Sequence, residues 1–403
     1  MMRKAQNISI IELFEYQTSR FPAEFISSEI GKQLWQLFDL QKGVLRINFP
    51  TVQTDNQWEI TPRGWVGTIP LATAQHLLLQ PKTPLRNLFR MWEYAYHLKS
   101  FHLLDDLVTA ASLHDFFEHI AHLLATWVLK RGRMGFYREY LHQNRQLPYL
   151  RGRLLPQQKP ATESTQLYCQ FDEQSIDIPD NQILLFTLNR IARMGICRST
   201  TQQLVRQAYH LLAGSASLRP FTPQDCYGRS YTRLNEDYRP LHALCRFFIE
   251  QSGPTHLPGD HTMKPFLINM PRLFEQFVAA WLKTHLPPPW HLNIQESIFL
   301  GTDNDFRFDI DLVLYDENGR SRAVLDTKYK TEPKPAAADI HQIIAYAKAK
   351  RAPQAILIYP TPLKTPLHIQ LDDIWIHTLS FSLADDLQTA GQLFLKSLLN
   401  FNI

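Results

Sequence analysis

The chain of 403 residues is poor in the features that would assign it quickly. It has only 4 cysteines, Cys169, Cys197, Cys226 and Cys245, widely spaced and with no CxxC pair. A zinc ribbon or a disulfide framework is therefore not expected, and reduced thiols fit better. No window approaches eighteen uninterrupted apolar residues, so no membrane span is expected, and Met1-Met-Arg-Lys-Ala-Gln-Asn lacks the apolar stretch of a signal peptide. These absences predict a cytoplasmic protein without membrane contact. No GxxxxGK[ST] occurs, so no nucleotide is expected to bind through a P-loop. There is no internal repeat and no low-complexity tract.

Hydrophobic residues at 44% and aromatics at 12% are ample for packed cores. The length exceeds what one compact core usually holds and predicts two or three domains. A net charge of +4 is compatible with nucleic-acid binding without requiring it. The patterning predicts an α+β multidomain chain. Residues 1–83 read as β-rich, from alternation in Val44-Leu-Arg-Ile-Asn-Phe, Gln57-Trp-Glu-Ile-Thr and Gly64-Trp-Val-Gly-Thr-Ile-Pro. Residues 84–251 read as mostly helical, opening with the apolar spacing of Leu85, Leu88, Phe89, Trp92 and Ala95. Ser252-Gly-Pro-Thr-His-Leu-Pro-Gly-Asp reads as a linker. Residues 262–403 then run helix, three strands, helix, strand, which predicts a mixed sheet flanked by helices.

Within that last region lies Arg307-Phe-Asp-Ile-Asp-Leu-Val-Leu-Tyr, a turn at Asp316-Glu-Asn-Gly-Arg, and Ala323-Val-Leu-Asp-Thr-Lys-Tyr-Lys330. This reads as a β-hairpin. Side chains alternate along a strand, so Asp309 and Asp311 share one face of the first strand. On the second strand Val324, Asp326 and Lys328 share a face, with Leu325 and Thr327 opposite. Carboxylates converging in this way suit a hard divalent cation, and a neighbouring lysine can orient a water or steady a phosphate. An ordinary cross-strand ion pair is the plainer alternative for Asp-x-Lys alone. The helix that follows carries Gln342 and Tyr346 four residues apart on one face, which makes the combination much rarer than its parts.

The arrangement resembles the PD-(D/E)xK nuclease superfamily, with Asp311, Asp326 and Lys328 as signature residues, and Gln342 and Tyr346 resemble the helix motif of its RecB-like branch. Within the superfamily the chain is similar to the McrC family, the nuclease subunits of McrBC-type modification-dependent restriction systems. The likeness extends to Pro81-Lys82 with Asn87-Leu-Phe-Arg-Met-Trp-Glu-Tyr-Ala, to Gly135-Phe-Tyr-Arg-Glu-Tyr and to Leu150-Arg-Gly-Arg-Leu. Asp180-Asn181, Tyr231-Thr-Arg-Leu-Asn-Glu-Asp-Tyr and Arg272-Leu-Phe-Glu-Gln-Phe-Val continue it. One departure is that the usual proline before the first aspartate is replaced. Either Asp309 or Asp311 then serves as first metal ligand, and the spacing to the turn favours Asp311.

The resemblance implies a restriction-endonuclease-like C-terminal domain and Mg²⁺-dependent hydrolysis of DNA, with Mn²⁺ as a substitute. It implies a AAA+ GTPase partner of the McrB type, whose hydrolysis the chain stimulates, docking in part through residues 1–83. It also implies double-stranded, modified DNA (5-methylcytosine) as substrate and a role in antiphage defence. Asp311 and Asp326 are the expected metal ligands, joined by Glu275 on the helix that opens the domain; a solvated helix charge is the alternative for Glu275. Lys328 is the expected catalytic lysine. Gln342, Tyr346, Lys330 and Asp309 are expected auxiliary or DNA-contacting residues, with Lys334 and Lys348 adding positive charge. Arg131, Arg133, Arg151 and Arg153 are candidates for coupling to the partner, or for turns tied to acids of the chain itself. His97, His102, His114, His119 and His122 lack a closing acidic or cysteine pattern and read as ordinary surface or core histidines. Two other functions stay open: a catalytically silent nuclease-fold scaffold that activates a partner NTPase, and a stand-alone RecB-like repair nuclease.

Overall fold

A computed structural model describes residues 9–72, 75–96, 98, 112–155, 166–194, 197–251, 265–300, 306–330 and 332–401. His97, His102 and the expected linker at 252–260 lie outside the described residues. The fold is α+β with several sheets, mixed ones among them. The chain divides into two compact units, Met1–Leu113 with Pro265–Ile403, and His114–Lys264.

The first unit contains a four-stranded sheet ordered β1-β6-β5-β10. Its strands are β1 (Ser9–Phe14), β5 (Trp65–Ala72), β6 (Gln75–Gln80) and β10 (Phe266–Asn269). β1 runs parallel to β6, and β10 pairs antiparallel with β5. A three-stranded antiparallel sheet of β2 (Ser19–Pro22), β4 (Gln57–Pro62) and β3 (Leu45–Asn48) lies beside it in the chain. The strict inward–outward alternation of β4 buries Trp58 and Ile60. These join Leu13, Leu34, Phe38, Val44, Leu77 and Leu79 in one apolar core that also takes in Leu267.

The sequence pattern separates residues 1–83, 84–251 and 262–403; the compact units instead group 1–113 with 265–403. The reason is pairing and packing. β10, which reads as part of the C-terminal region, completes the sheet of β5. Helix α2 (Leu85–Ala95), which reads as part of the middle region, packs against α7 (Met270–His285).

The rest of this unit is a six-stranded mixed sheet, ordered β11-β12-β13-β14-β16-β15. It comprises β11 (His291–Leu300), β12 (Phe306–Tyr315), β13 (Ser321–Thr327), β14 (Gln354–Tyr359), β15 (His368–Leu371) and β16 (Ile374–Ser380). β11, β12 and β13 are antiparallel neighbours, whereas β13, β14 and β16 run parallel. The crossover from β13 to β14 is helix α8 (Ala337–Lys350), as parallel neighbours require. β14 is buried along its whole length, which is why Gln354-Ala-Ile-Leu-Ile-Tyr reads as a continuous apolar run. Ile343, Tyr346 and Ala347 of α8 cover a face that carries Val313, Val324, Ala355, Leu357, Tyr359 and Ile376. Helix α9 (Leu387–Leu399) closes the chain.

The second unit holds α3 (Leu113–Met134), α4 (Pro179–Met194), α5 (Ser199–Ala213) and α6 (Tyr238–Gln251). It also holds a three-stranded antiparallel sheet, β7 (Glu139–Leu147), β9 (Leu167–Ser175) and β8 (Arg153–Leu154), which the sequence did not suggest. Glu139-Tyr-Leu-His-Gln-Asn-Arg-Gln-Leu has no β-branched residue and hardly any that are apolar, so its strand is held by pairing with β9 and not by propensity. No helix among the described residues is long and apolar enough to cross a membrane.

Candidate active site

β12 and β13 form the expected hairpin, with Leu312 opposite Leu325 and Val313 opposite Val324. The turn is made by Asp316, whose carboxylate accepts from the backbone N–H of Asn318 and Arg320, both at 2.9 Å. Pairing Val313 with Val324 brings Asp311 and Asp326 to the same face, under α8. Two residues of core lie behind them on each strand, so the acids sit where the apolar face ends.

Asp326 is 2% exposed. Its Oδ2 lies 2.7 Å from the Lys328 ammonium as an ion pair and has no other polar partner among the described residues. Burial pushes the Asp326 carboxyl up to about 7; the Lys328 charge works against this and the Asp311 charge adds to it. Asp311 accepts from the Thr327 backbone N–H at 3.3 Å, and burial raises it too. Glu275, on α7, is raised first by burial and then by the Asp311 charge. Its Oε1 accepts from Gln295 Nε2 at 3.3 Å. Three acids whose charged forms are all disfavoured make a pocket short of positive charge.

Lys328 is the cation set among these acids. Burial alone lowers its pKa, but the carboxylates of Asp326, Asp339 and Asp311 outweigh that and raise it. Its ammonium donates to Gln342 Oε1 at 3.0 Å, and Gln342 Nε2 donates to the Tyr346 hydroxyl at 2.8 Å. The Tyr346 ring meets Phe308 edge-on at 5.5 Å. The helix pair read from the sequence therefore braces the lysine.

Lys330 does not face the acids of the hairpin. Its ammonium donates to both carboxylate oxygens of Asp339, at 2.9 and 2.7 Å. Asp339 also stands 3.9 Å from the Lys328 ammonium. Sequence reasoning missed this acid, although it lies one helical turn before Gln342 on the same face. It missed Gln295 as well, a non-glycine residue at φ +52° on β11, at the gap in the ladder opposite Asp311.

Asp309 is separated from the group. It is exposed at the outer end of β12, accepts from Ser297 Oγ at 2.6 Å and Arg307 Nε at 2.8 Å, and is held below the usual carboxylate range by those two bonds. Lys348 pairs with Asp372 at 3.2 Å, and Lys334 is exposed without a partner among the described residues.

The middle-region motifs assemble elsewhere, within the second unit. Asp180 pairs with Arg229 at 2.7 Å. Asn181 donates to the carbonyls of Tyr137 and Ile176 and accepts from the Tyr238 hydroxyl at 2.7 Å. Arg131 pairs with Asp237 at 3.4 Å and donates to the Leu234 carbonyl. Arg151 pairs with Glu173 at 3.0 Å and lies over the Phe171 ring. Arg133 and Arg153 are exposed, with no ion pair among the described residues. Of the helical histidines, His114 and His119 are half-buried and His122 is exposed.

The donor set at the hairpin is all oxygen, which suits Mg²⁺ or Mn²⁺ over softer ions. The three raised carboxyls, gathered at one end of the hairpin, fit a divalent cation. No group of three or more His, Cys, Asp or Glu side chains among the described residues is arranged to hold a metal alone. Two carboxylates, with waters or a phosphate completing the shell, are what the residues offer.

Residues 60–360 match the family model described as McrBC 5-methylcytosine restriction system component. No curated protein sequence matches the chain. Among solved structures, one chain from the refined half-complex of a tetradecameric assembly of Thermococcus gammatolerans McrB AAA+ hexamers with bound McrC superposes with a TM-score of 0.61. It is 20% identical, and the match covers 98% of this chain and 100% of that one. A chain of the cryo-EM structure of the Thermococcus gammatolerans McrBC complex matches with a TM-score of 0.48 at 21% identity, over 69% of this chain and 88% of that one.

Proposed function

The chain belongs to the McrBC 5-methylcytosine restriction system component family, and from that premise we propose that it is the system's metal-dependent DNA endonuclease subunit. The observation that carries the proposal is the hairpin site. Asp311 and Asp326 converge under α8, Lys328 is held between Asp326 and Gln342, and the buried Asp326 Oδ2 has no polar partner but Lys328 among the described residues. The sheet order and the flanking helices support a PD-(D/E)xK nuclease domain.

In this reading Asp311 and Asp326 hold Mg²⁺ or Mn²⁺, with Glu275 adding negative charge beside Asp311. A divalent cation bound there supplies Lewis acidity and lowers the pKa of its water. The carboxylates of Asp326, Asp339 and Asp311 favour the charged form of Lys328, which suits a donor. Lys328 steadies the negative charge that builds on the phosphate during attack. Gln342 and Tyr346 fix the lysine's direction, and Asp339 ties Lys330 to the same helix. The partner is a AAA+ GTPase of the McrB type, as in the Thermococcus assembly, and Arg133 and Arg153 are the arginines free to reach it. The substrate is double-stranded DNA carrying 5-methylcytosine, met in the cytoplasm.

The test is cleavage of methylated and unmethylated plasmid by the purified chain with Mg²⁺, with and without the GTPase and GTP. Cutting that needs all three and is lost in Asp326→Ala supports the proposal. GTPase stimulation without cutting of any DNA supports the scaffold reading, and cutting by the chain alone the autonomous nuclease.

A further inference from the structure

Tyr329 lies between Lys328 and Lys330 in the chain and is 3% exposed. It is gripped from the N-terminal sheet at its hydroxyl, its carbonyl and its ring. The hydroxyl donates to Glu15 Oε2 at 3.1 Å and lies 3.3 Å from Thr83 Oγ1. The carbonyl accepts from the Tyr16 hydroxyl at 3.1 Å. The Lys82 ammonium sits 4.1 Å from the centre of the ring and 4.9 Å from that of Tyr16. Phe274, next to Glu275 on α7, packs on the same ring at 6.0 Å.

Glu15 follows directly on β1 and Lys82 comes two residues after the end of its partner strand β6, and the Lys82 backbone N–H donates to Glu15 Oε2 at 3.0 Å. Both groups are costly where they are. Glu15 Oε1 and Lys82 Nζ are buried and have no hydrogen-bond partner among the described residues. Burial raises the Glu15 carboxyl and pulls the Lys82 ammonium down to about 8. Apolar side chains of the same size would join the two sheets at lower cost. A charged pair closing on one tyrosine fixes a geometry instead.

We propose that Lys82 and Glu15 are positioning residues for Lys328, acting through Tyr329; the inference rests on the nuclease reading above for its consequence in catalysis. The Lys330 backbone N–H donates to the Lys328 carbonyl at 2.9 Å, which turns the chain tightly about Tyr329. Fixing the ring, hydroxyl and carbonyl of Tyr329 therefore sets where Lys328 and Lys330 emerge. The Lys328 backbone N–H is held on the other side by the Ile358 carbonyl at 2.8 Å.

The test compares wild type, Lys82→Met, Lys82→Arg and Tyr329→Phe in the full chain with its GTPase partner. The acetylation rate of Lys328 by an amine-reactive ester is read by mass spectrometry, with Lys348 as the internal control. Lys82→Met and Tyr329→Phe are expected to raise Lys328 reactivity severalfold and leave Lys348 unchanged. Cleavage kcat is expected to fall about ten- to a hundredfold with KM held, and Lys82→Arg to recover most of it. Unchanged Lys328 reactivity in a folded Tyr329→Phe chain overturns the proposal. So does a rise in every lysine together with lost helix signal, which marks a purely structural clamp. Altered Lys328 reactivity in a chain that cuts no DNA, even as wild type, keeps the positioning role and removes the nuclease reading.

Discussion

The Lys328 ammonium lies 2.7 Å from Asp326 Oδ2 and 3.0 Å from Gln342 Oε1. The first contact balances charge and the second sets direction. Removing either partner has a different expected result. Asp326→Asn leaves the lysine braced and removes a metal-holding charge, so cutting and Mn²⁺ affinity by calorimetry are expected to fall together. Gln342→Ala leaves both carboxylates and is expected to lower kcat about tenfold or more, with Mn²⁺ affinity unchanged.

Of Arg131, Arg133, Arg151 and Arg153, the paired and the exposed ones are expected to behave differently. Arg131 is bound to Asp237 and to the Leu234 carbonyl, so Arg131→Ala is expected to lower the melting temperature, with about 1–3 kcal/mol lost. Arg133 and Arg153 are exposed. Arg133→Ala and Arg153→Ala are expected to keep the melting temperature, and at least one to reduce stimulation of the GTPase. Loss of stability in both exposed variants would show that they too serve the fold.

The second unit carries a buried proton switch in stability. His242 Nε2–H donates to the Asp180 carbonyl at 3.1 Å, which leaves Nδ1 to accept the Tyr231 hydroxyl at 2.9 Å. Burial pulls this imidazole down to about 4, although Asp180 works the other way. A folded-state value below the ordinary 6.5 favours the neutral, folded form at neutral pH, and that stability is lost as pH falls from 6.5 towards 4. In thermal melts run from neutral pH down through that window, stability is expected to drop by about 1.4 kcal/mol per pH unit from this group. His242→Gln is expected to flatten that part of the curve.

Two glycines separate crowding from strain. Gly67 has φ +136°, and a Cβ there runs into the Phe266 carbonyl of β10. Gly67→Ala is expected to cost roughly 2 kcal/mol or more and to loosen β10 from β5. Gly319, in the hairpin turn at φ +70°, faces open space. Gly319→Ala is expected to cost only about 1 kcal/mol, from backbone conformation alone. Urea unfolding of both variants checks the difference.

The hairpin acids were legible because alternation fixes faces: Asp311, Asp326 and Lys328 can be assigned to one side without any structure. The helix pair was legible for the same reason, since Gln342 and Tyr346 are four residues apart. Face alone leaves Asp309 and Asp311 equal; the spacing to the turn favours Asp311, and the surroundings separate the two in the structure. Asp309 meets Ser297 and Arg307 at the strand's outer end, whereas Asp311 meets Thr327. Long-range pairing was hidden. Nothing in Phe266-Leu-Ile-Asn says that it closes a sheet with Trp65–Thr68. Nothing in Pro81-Lys82 says that the lysine lies on Tyr329. The sheet of β7, β8 and β9 was missed because its longest-paired strand, β7, is nearly all polar and is ordered by its pairing with β9.

Lys328→Ala bears most directly on the central claim. Cleavage of 5-methylcytosine-containing and unmethylated DNA would be measured with Mg²⁺, GTP and the partner GTPase, with GTP turnover followed in the same tube. The expected result is methyl-dependent cutting by wild type and a loss of about a hundredfold or more in Lys328→Ala, with GTP turnover still stimulated. Equal cutting by the two proteins would contradict the account, because the hairpin would then not be where the DNA is cut.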